Sequence, residues 1–150
     1  MTKIRSATSA DVDTLAAFNI AMALETEDKH LPEDTIRPGV QRFIDNSDLG
    51  FYLLAEREGE VAGCLAITFE WSDWRNGLFW WIQSVYIHPD HRRAGVFRQL
   101  YSRVTELAAG DSDVCGIRLY VEKDNARAQQ TYTSLGMSET DYRLFEALLP

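Results

Sequence analysis

The residues best suited to chemistry are concentrated in one short stretch, HPDHRRAGVF, at residues 88–97. Arg92 and Arg93 supply positive charge and forked hydrogen-bond donors, and Gly95 lets a ligand approach the main chain closely. The stretch follows an apolar run and precedes a helical pattern, so it should lie at a helix N-terminus, whose free N–H groups attract phosphate. On these residues alone, a phosphate-binding turn and a plain helix cap are about equally well supported.

The arginines of this stretch stand out because the chain is acidic, with a formal net charge of −8. Residues 92–103 contain four arginines and no acid. The stretch is neither of the common phosphate loops, because the chain contains no GxxxxGK[ST] and no GxGxxG. A nucleotide triphosphatase and a dinucleotide oxidoreductase are therefore disfavoured.

The acidic excess lies in residues 1–74, which hold 14 Asp and Glu against 6 Lys and Arg. Such a surface repels nucleic acid and anionic membranes and attracts cationic partners, although solubility alone is the alternative explanation. No apolar run reaches the roughly 18 residues that span a membrane. The N-terminus has no apolar signal-peptide core, so a cytoplasmic location is predicted.

Histidine and cysteine give no sign of a metal site or a disulfide. The three histidines show no metal-ligand spacing on one helix face, so no metal is predicted. Cys64 and Cys115 lie in apolar contexts without CxxC spacing. Both are predicted to be buried, reduced thiols.

The elements that position these residues are predicted from hydrophobic periodicity and turn signals. The central strands are joined by short connections and should form an antiparallel meander, and residues 78–122 should form a right-handed parallel crossover. The prediction is one domain, residues 1–150, of mixed α+β (broadly α/β) class, with about six mostly antiparallel strands and helices on both faces. The predicted elements are strand 4–7, helix 8–25, an irregular helix 31–47 disturbed at Pro38-Gly39, strands 51–57, 61–71 and 77–87, a helix from Val96, strand 116–122, a helix from Asn125 that ends at Gly136, and a closing strand 142–149.

The segment SVYIHPDHRRAGVFRQLY resembles the acyl-CoA-binding motif of the GCN5-related N-acetyltransferase (GNAT) superfamily, [QR]-x-x-G-x-[GA]. Arg92 matches the first position of that motif and Gly95 matches its glycine. Phe97 departs from the pattern, because Gly or Ala is usual there. Its ring either limits how closely a cofactor can pass or packs under the helix.

A second GNAT motif is matched further along the chain, by Asn125, Ala128, Tyr132 and the sequence LGM, in which Met137 replaces the usual Phe. Two motifs in register at the right separation make the resemblance specific. The predicted order of elements also agrees with this family from about residue 3 to residue 148.

The resemblance implies that acetyl-CoA is bound as acyl donor. The main chain of Val85, Tyr86 and Ile87 would pair with the pantetheine arm, and the N–H group near Val85 would stabilise the developing oxyanion. Core packing is the alternative role for Val85 and Ile87. The backbone amides of the turn would hold the pyrophosphate; they belong to Arg92, Arg93, Ala94, Gly95, Val96 and Phe97.

The second motif implies that Asn125, Ala128 and Tyr132 contact the cofactor and that Tyr132 is also the general acid that protonates the departing thiolate. A helix N-cap is the alternative for Asn125, and a core position is the alternative for Tyr132.

The base that deprotonates the amine is not selected by the sequence. The candidates are the carboxylates of Glu70 and Asp73 and those of Glu25 or Glu27. Glu70 is the leading candidate. Trp71, Asp73 and Glu27 are candidates for holding a cationic amine. For the tryptophans of residues 71–81, sheet packing or an aromatic dimer interface is the alternative.

The implied function is N-acetyl transfer from acetyl-CoA to a small cationic amine, by direct attack in a ternary complex. No cysteine or serine stands in a recognisable nucleophile motif, so a covalent acyl-enzyme is not indicated. The alternatives are a non-catalytic acyl-CoA sensor, a longer-chain acyltransferase and a protein N-terminal acetyltransferase. Since family members are often homodimers, a second copy of the chain is one expected partner; no nucleic acid, membrane or metal is expected.

Overall fold

The structure is a computed structural model that describes residues 1–150 and contains two compact units, residues 1–119 and residues 120–150. That the whole chain forms one domain stays a prediction. No helix is both long and apolar enough to cross a bilayer. The elements of the first unit are β1 (Thr2–Ser6), α1 (Val12–Glu27), α2 (Glu33–Asp45), β2 (Gly50–Arg57), β3 (Glu60–Ser72), β4 (Gly77–Ile87), α3 (Val96–Ala109) and β5 (Val114–Arg118), and that of the second unit is α4 (Ala126–Ser134).

The first unit is built on a five-stranded sheet in the order β1-β2-β3-β4-β5. Neighbouring strands are antiparallel from β1 to β4, and β4 and β5 are parallel. The predicted meander and the predicted parallel crossover through α3 are therefore confirmed, as is the mixed fold class.

Alternation of side chains along the strands creates two packed faces. On one face, Leu53 and Ile67 pack with Leu100 of α3. On the other face, Leu54 packs with Leu15 of α1 and with residues of α2. Each of these five side chains is almost completely buried, so the sheet has helices on both sides.

The start of α1 is fixed by a buried carboxylate. Thr8 and Asp11 form a capping box, and both Asp11 oxygens accept hydrogen bonds of 2.8 Å from the Arg5 guanidinium. The hydrogen bonds from Arg5 hold the pKa of Asp11 below its usual range. This pair ties β1 to the helix that borders the site described below.

The predicted closing strand at residues 142–149 is wrong, so the sheet has five strands rather than about six. The apolar residues there are not strictly alternating, because Leu144 and Phe145 are adjacent and so are Leu148 and Leu149. All four are exposed. A strand needs both a buried face and a ladder partner, and this segment has neither.

Three smaller predictions also need correction. The helix α2 runs without interruption through Pro38. Packing of its apolar side chains into the core outweighs the hydrogen bond that proline removes and the crowding of its ring against the preceding turn. The last strand ends at Arg118 rather than at residue 122, where its ladder with β4 ends. Cys64 is buried as predicted, but Cys115 is exposed on the edge strand β5; both thiols are free.

Candidate active site

The turn between β4 and α3 leaves several main-chain N–H groups without an acceptor. Arg93 and Gly95 both have positive φ, at 65° and 75°, and no side chain caps α3. The N–H groups of Arg93, Ala94 and Gly95 donate to no acceptor in the chain. A Cβ at Gly95 would meet nothing within 4 Å, so the space in front of the turn is open. Residues 88–98 are called the arginine turn below.

The four arginines of residues 92–103 are not equivalent. Arg92 donates from Nη2 to Glu25 Oε2 at 2.8 Å and from Nε to the Ile87 carbonyl at 2.9 Å. Arg103 pairs with a glutamate of its own helix. Arg93 and Arg98 are exposed and form no ion pair. The guanidinium groups available to an anion are therefore those of Arg93 and Arg98, while Arg92 ties the end of α1 to the end of β4.

A buried histidine anchors the arginine turn to the β2–β3 hairpin. His91 is 5% exposed; its Nδ1 lies 3.3 Å from Arg57 Nη1 and its Nε2 lies 3.2 Å from Glu60 Oε2. Neutral histidine with its proton on Nε2 satisfies both contacts, accepting from Arg57 and donating to Glu60. Sequence reasoning missed this role, because the partners are more than 30 positions away in the chain.

The strand β4 contains a bulge that bears directly on the site. The ladder with β3 pairs Ala66 with Gln83 and then Cys64 with Tyr86, which leaves Ser84 and Val85 outside the regular pairing. Ser84 has a φ of 49°, a left-handed conformation that is strained for a residue with a side chain. The bulge turns the main chain of Val85 out of the regular ladder.

The Cys64 thiol supports this bulge, with its Sγ 3.5 Å from the Ser84 carbonyl oxygen. Burial raises the pKa of Cys64 to about 12. The thiol therefore stays protonated and can donate to that oxygen, and it is not a nucleophile at neutral pH. The side chains of Val85 and Ile87 pack against the α3 side of the core, so core packing, the alternative for them, is observed.

Beside the bulge lies a cavity of about 220 Å³ between the sheet and the helices α1 and α2. We call it the bulge pocket. Ile36, Val40 and Phe43 of α2 form its apolar side. The sheet and α1 contribute its polar side chains, which are Asn19, Tyr52, Thr68, Gln83 and Ser84.

Two of these polar groups are held in place by buried contacts. Asn19 donates from Nδ2 to the Leu15 carbonyl at 2.9 Å and to the Tyr52 hydroxyl oxygen at 3.2 Å. Tyr52 and Ser84 both line the pocket, and burial raises the pKa of Tyr52. The hydroxyl is therefore neutral at physiological pH and positioned next to the bulge.

The carboxylates proposed from the sequence lie in different places. Glu70 is on the same face of β3 as Thr68, and its Oε1 accepts from Trp81 Nε1 at 3.1 Å and from Arg118 Nη1 at 2.7 Å. Asp73 is exposed in the β3–β4 turn, and Glu27 is exposed at the end of α1, 3.4 Å from Lys29.

The aromatic residue proposed to hold the amine, Trp71, is 59% exposed. Neither it nor Glu27 nor Asp73 lines the bulge pocket. Of the carboxylates proposed from the sequence, Glu25 is the one that contacts the arginine turn, through Arg92. Glu25 also accepts a 3.3 Å hydrogen bond from the Tyr86 hydroxyl of β4.

Phe97 does not close the arginine turn. Its half-buried ring packs against the α3 side of the core and lies 6.2 Å from the Tyr101 ring, centroid to centroid. The structure thus favours packing under the helix over obstruction of the turn.

In the second unit, Asn125 directly precedes α4 and Tyr132 lies within its last turn. Asn125 Oδ1 accepts from the Ala128 N–H at 3.1 Å, so Asn125 is the N-cap of this helix. Burial raises the pKa of Tyr132, which keeps the hydroxyl protonated. Their contacts with a cofactor stay predictions.

The chain resembles known proteins in sequence and in structure. Residues 16–137 match the model of the acetyltransferase (GNAT) family. A possible acetyltransferase from Clostridium difficile 630 is 41% identical, with a TM-score of 0.94 over 100% of this chain and 99% of that one. No curated protein matches the sequence.

More distant structures share the fold. A predicted acetyltransferase with acetyl-CoA, from Clostridium acetobutylicum, is 22% identical, with a TM-score of 0.77 over 98% of this chain and 96% of that one. A ribosomal-protein-alanine N-acetyltransferase from Brucella melitensis biovar Abortus 2308 is 14% identical, with a TM-score of 0.79 over the whole of both chains.

Proposed function

The chain belongs to the acetyltransferase (GNAT) family, and on that premise we propose that it transfers an acetyl group from acetyl-CoA to the nitrogen of a small amine that is cationic in solution. The observation that carries the proposal is the pairing of a bulged β4 with an open arginine turn directly after it. The first can direct a main-chain N–H at a thioester carbonyl and the second can hold a diphosphate.

The residues present suit the diphosphate of coenzyme A. The N–H groups of Ala94 and Gly95 have no acceptor in the chain, and Gly95 leaves room for close approach. Arg93 and Arg98 add two unpaired positive charges. Acetyl-CoA supplies the thioester whose carbonyl carbon accepts the amine.

The remaining roles follow the course of the reaction. Val85 would stabilise the carbonyl oxygen as negative charge develops on it, because a fixed main-chain donor costs little reorganisation. Tyr132 would protonate the departing thiolate, and its raised pKa supports the protonated form that this role needs. A direct attack is favoured over a covalent acyl-enzyme because no cysteine or serine stands in a recognisable nucleophile motif and because Cys64 is a neutral, buried thiol.

A base role for Glu70 stays a prediction. Its Oε1 already accepts hydrogen bonds from Trp81 Nε1 and Arg118 Nη1. The acidic excess of residues 1–74 supports attraction of a cationic amine to this part of the molecule.

Thiol release from acetyl-CoA across a panel of amines tests the proposal, with the acetylated product identified by mass spectrometry. The panel should contain arylalkyl monoamines, polyamines, an aminoglycoside and a peptide with a free N-terminus. Amine-dependent release for at least one class supports an N-acetyltransferase. Stabilisation by acetyl-CoA without release for any class would contradict it and support a sensor module; a ligand at 100 times its Kd stabilises by about 2.7 kcal/mol.

Substitution of Tyr132 by Phe tests the general acid. Tyr132→Phe should lower kcat by a factor of about ten to a thousand, the usual range for acid–base catalysis, with the Kd for acetyl-CoA unchanged. Tyr142→Phe removes a hydroxyl from an exposed residue of the tail and is the matched control. Unchanged kcat in a folded Tyr132→Phe protein would remove this residue from the mechanism.

A further inference from the structure

The bulge pocket contains no charged side chain. Its polar groups are the amides of Asn19 and Gln83 and the hydroxyls of Tyr52, Thr68 and Ser84. Of these, only Tyr52 titrates, and burial moves its pKa further above neutrality. A ligand in this pocket therefore meets hydrogen-bonding groups and apolar surface, but no formal charge.

The charged and titratable groups on the surrounding elements are engaged elsewhere. On β3, Glu70 pairs with Arg118, and the Cys64 thiol is neutral. On β4, the Tyr86 hydroxyl is held by Glu25, which also pairs with Arg92.

The helices and β2 add no free charge to the lining either. Arg37 of α2 pairs with Asp13 of α1 and with Glu33. Glu56 of β2 pairs with Arg5. None of these side chains lines the cavity.

An uncharged pocket acts on the protonation state of an amine. Removal of an ammonium from water without a compensating carboxylate disfavours the charged form, so burial lowers the pKa of an amine. The neutral form is also the form that attacks a thioester. Because Ser84 belongs both to the lining and to the bulge, an amine in the pocket would lie beside the main chain of Val85.

From this geometry we propose that the bulge pocket is the acceptor site and that it binds a primary monoamine in its neutral form, so that desolvation rather than a carboxylate base removes the proton. This inference rests on the proposed function and narrows its substrate class. The body of the acceptor carries no second positive charge. A cavity of about 150 Å³ holds benzene, so the bulge pocket is large enough for an arylalkyl amine whose ring contacts Ile36, Val40 and Phe43.

The proton balance of the reaction needs no further reactant. The ammonium releases one proton to solvent on entry, and the free amine forms a C–N bond as the C–S bond breaks. The second nitrogen proton also leaves to solvent, Tyr132 donates its proton to the thiolate, and the tyrosine regains one from solvent. The products are an amide and free coenzyme A.

Binding of para-fluorobenzylamine to the full-length protein, followed by fluorine NMR as a function of pH, tests the inference without turnover. Below the solution pKa of the amine, the wild-type Kd should fall about tenfold for each pH unit of increase, because only the neutral fraction binds. Gln83→Glu adds a carboxylate of nearly the same shape to the lining. It should abolish or reverse this dependence by stabilising the bound ammonium.

Two further variants locate the effect in this pocket. Gln41→Glu makes the same change of charge on α2, outside the lining, and should behave as wild type. Gly39→Leu places a side chain into open space at the lining. It should weaken binding at least tenfold while α2 stays folded, since leucine favours a helix over glycine.

Three results would overturn the inference: a Kd that is independent of pH, tighter wild-type binding at acid pH, or full affinity in Gly39→Leu. Thiol release is recorded separately. If the binding results hold but no amine gives release, the proposed function fails and the binding site stands. If release is observed but the pH dependence is absent, the proposed function stands and this inference fails.

Discussion

The arginine turn and the bulge pocket adjoin the same strand, yet they are opposite in charge and in the atoms that they present. The turn presents main-chain N–H groups and the two unpaired arginines Arg93 and Arg98. The pocket presents neutral side chains on an apolar background. Main-chain recognition depends on backbone conformation, whereas the pocket depends on the identity of each side chain. Substitutions should therefore separate the two regions cleanly.

Both regions contain a strained non-glycine residue, and each is held in place by a buried side chain. Arg93 in the turn and Ser84 in the bulge have positive φ without being glycine, which costs of order 1–3 kcal/mol for each residue. His91 holds the turn through Arg57 and Glu60, and Cys64 holds the bulge through the Ser84 carbonyl. The strain is thus compensated by contacts to β2 and β3.

Gly95→Ala should have the largest effect on the turn. A Cβ there leaves the chain itself unobstructed but projects into the space that an anion would enter, so the Kd for acetyl-CoA should rise at least tenfold by calorimetry. Gly59 has a similar φ of 78° and equally open space in the β2–β3 turn. Gly59→Ala should lower the free energy of unfolding by a similar amount, about 1 kcal/mol, and should leave the Kd for acetyl-CoA unchanged. Equal Kd values for acetyl-CoA in the two variants would contradict binding of the diphosphate at the arginine turn.

Removal of the unpaired charges should have a smaller effect. Arg93→Gln combined with Arg98→Gln should raise the KM for acetyl-CoA about fivefold to tenfold and flatten its dependence on salt. Arg103 is already paired with Glu106, so Arg103→Gln is the matched control and should match wild type. If the KM for acetyl-CoA of the double variant depends on salt as strongly as that of wild type, the anionic part of the cofactor does not bind at these two arginines.

The smallest effect on activity should follow from Asp11→Asn, which acts on stability. Loss of the capping box and of the Arg5 pair should lower the free energy of unfolding by about 2 kcal/mol, measured by denaturant titration, with the kinetic constants at neutral pH unchanged. The folded-state pKa of Asp11 is depressed. The carboxylate therefore stabilises the fold above its unfolded pKa, and this contribution is lost as the pH falls through the folded pKa.

The surface carboxylate Asp13 is the control for that experiment, because it pairs with Arg37 on the outside of the helices. Asp13→Asn should change stability by less than about 1 kcal/mol. If Asp11→Asn and wild type lose stability in parallel as the solution is acidified, the depressed pKa is not the cause.

The sequence was sufficient to predict the elements whose periodicity is strong. The meander followed from three apolar runs with short connections, and α3 followed from Leu100 and Val104 at helical spacing. The arginine turn was predicted because its residues are contiguous. The closing strand failed because apolar content without regular alternation does not supply a ladder partner.

The features that the sequence did not predict depend on contacts between distant residues. The pair of Glu25 and Arg92 joins positions 67 apart in the chain, and the bulge at Ser84 is a mismatch between two strands that no single strand encodes. The bulge pocket is likewise assembled from α1, α2 and three strands. The absence of charge in the pocket lining could not be predicted from the sequence, because residues 1–74 carry a net charge of −8.

The most direct test of two separate substrate regions is a kinetic double-mutant cycle of Gly95→Ala and Gln83→Glu, with acetyl-CoA and para-fluorobenzylamine varied in turn. If the two regions are separate, Gly95→Ala should raise only the KM for acetyl-CoA, and Gln83→Glu should change only the pH dependence of the KM for the amine. The double variant should show the product of the two single effects, within about 0.5 kcal/mol of additivity. A single substitution that changes the kinetic constants for both substrates, or strong non-additivity, would contradict the account.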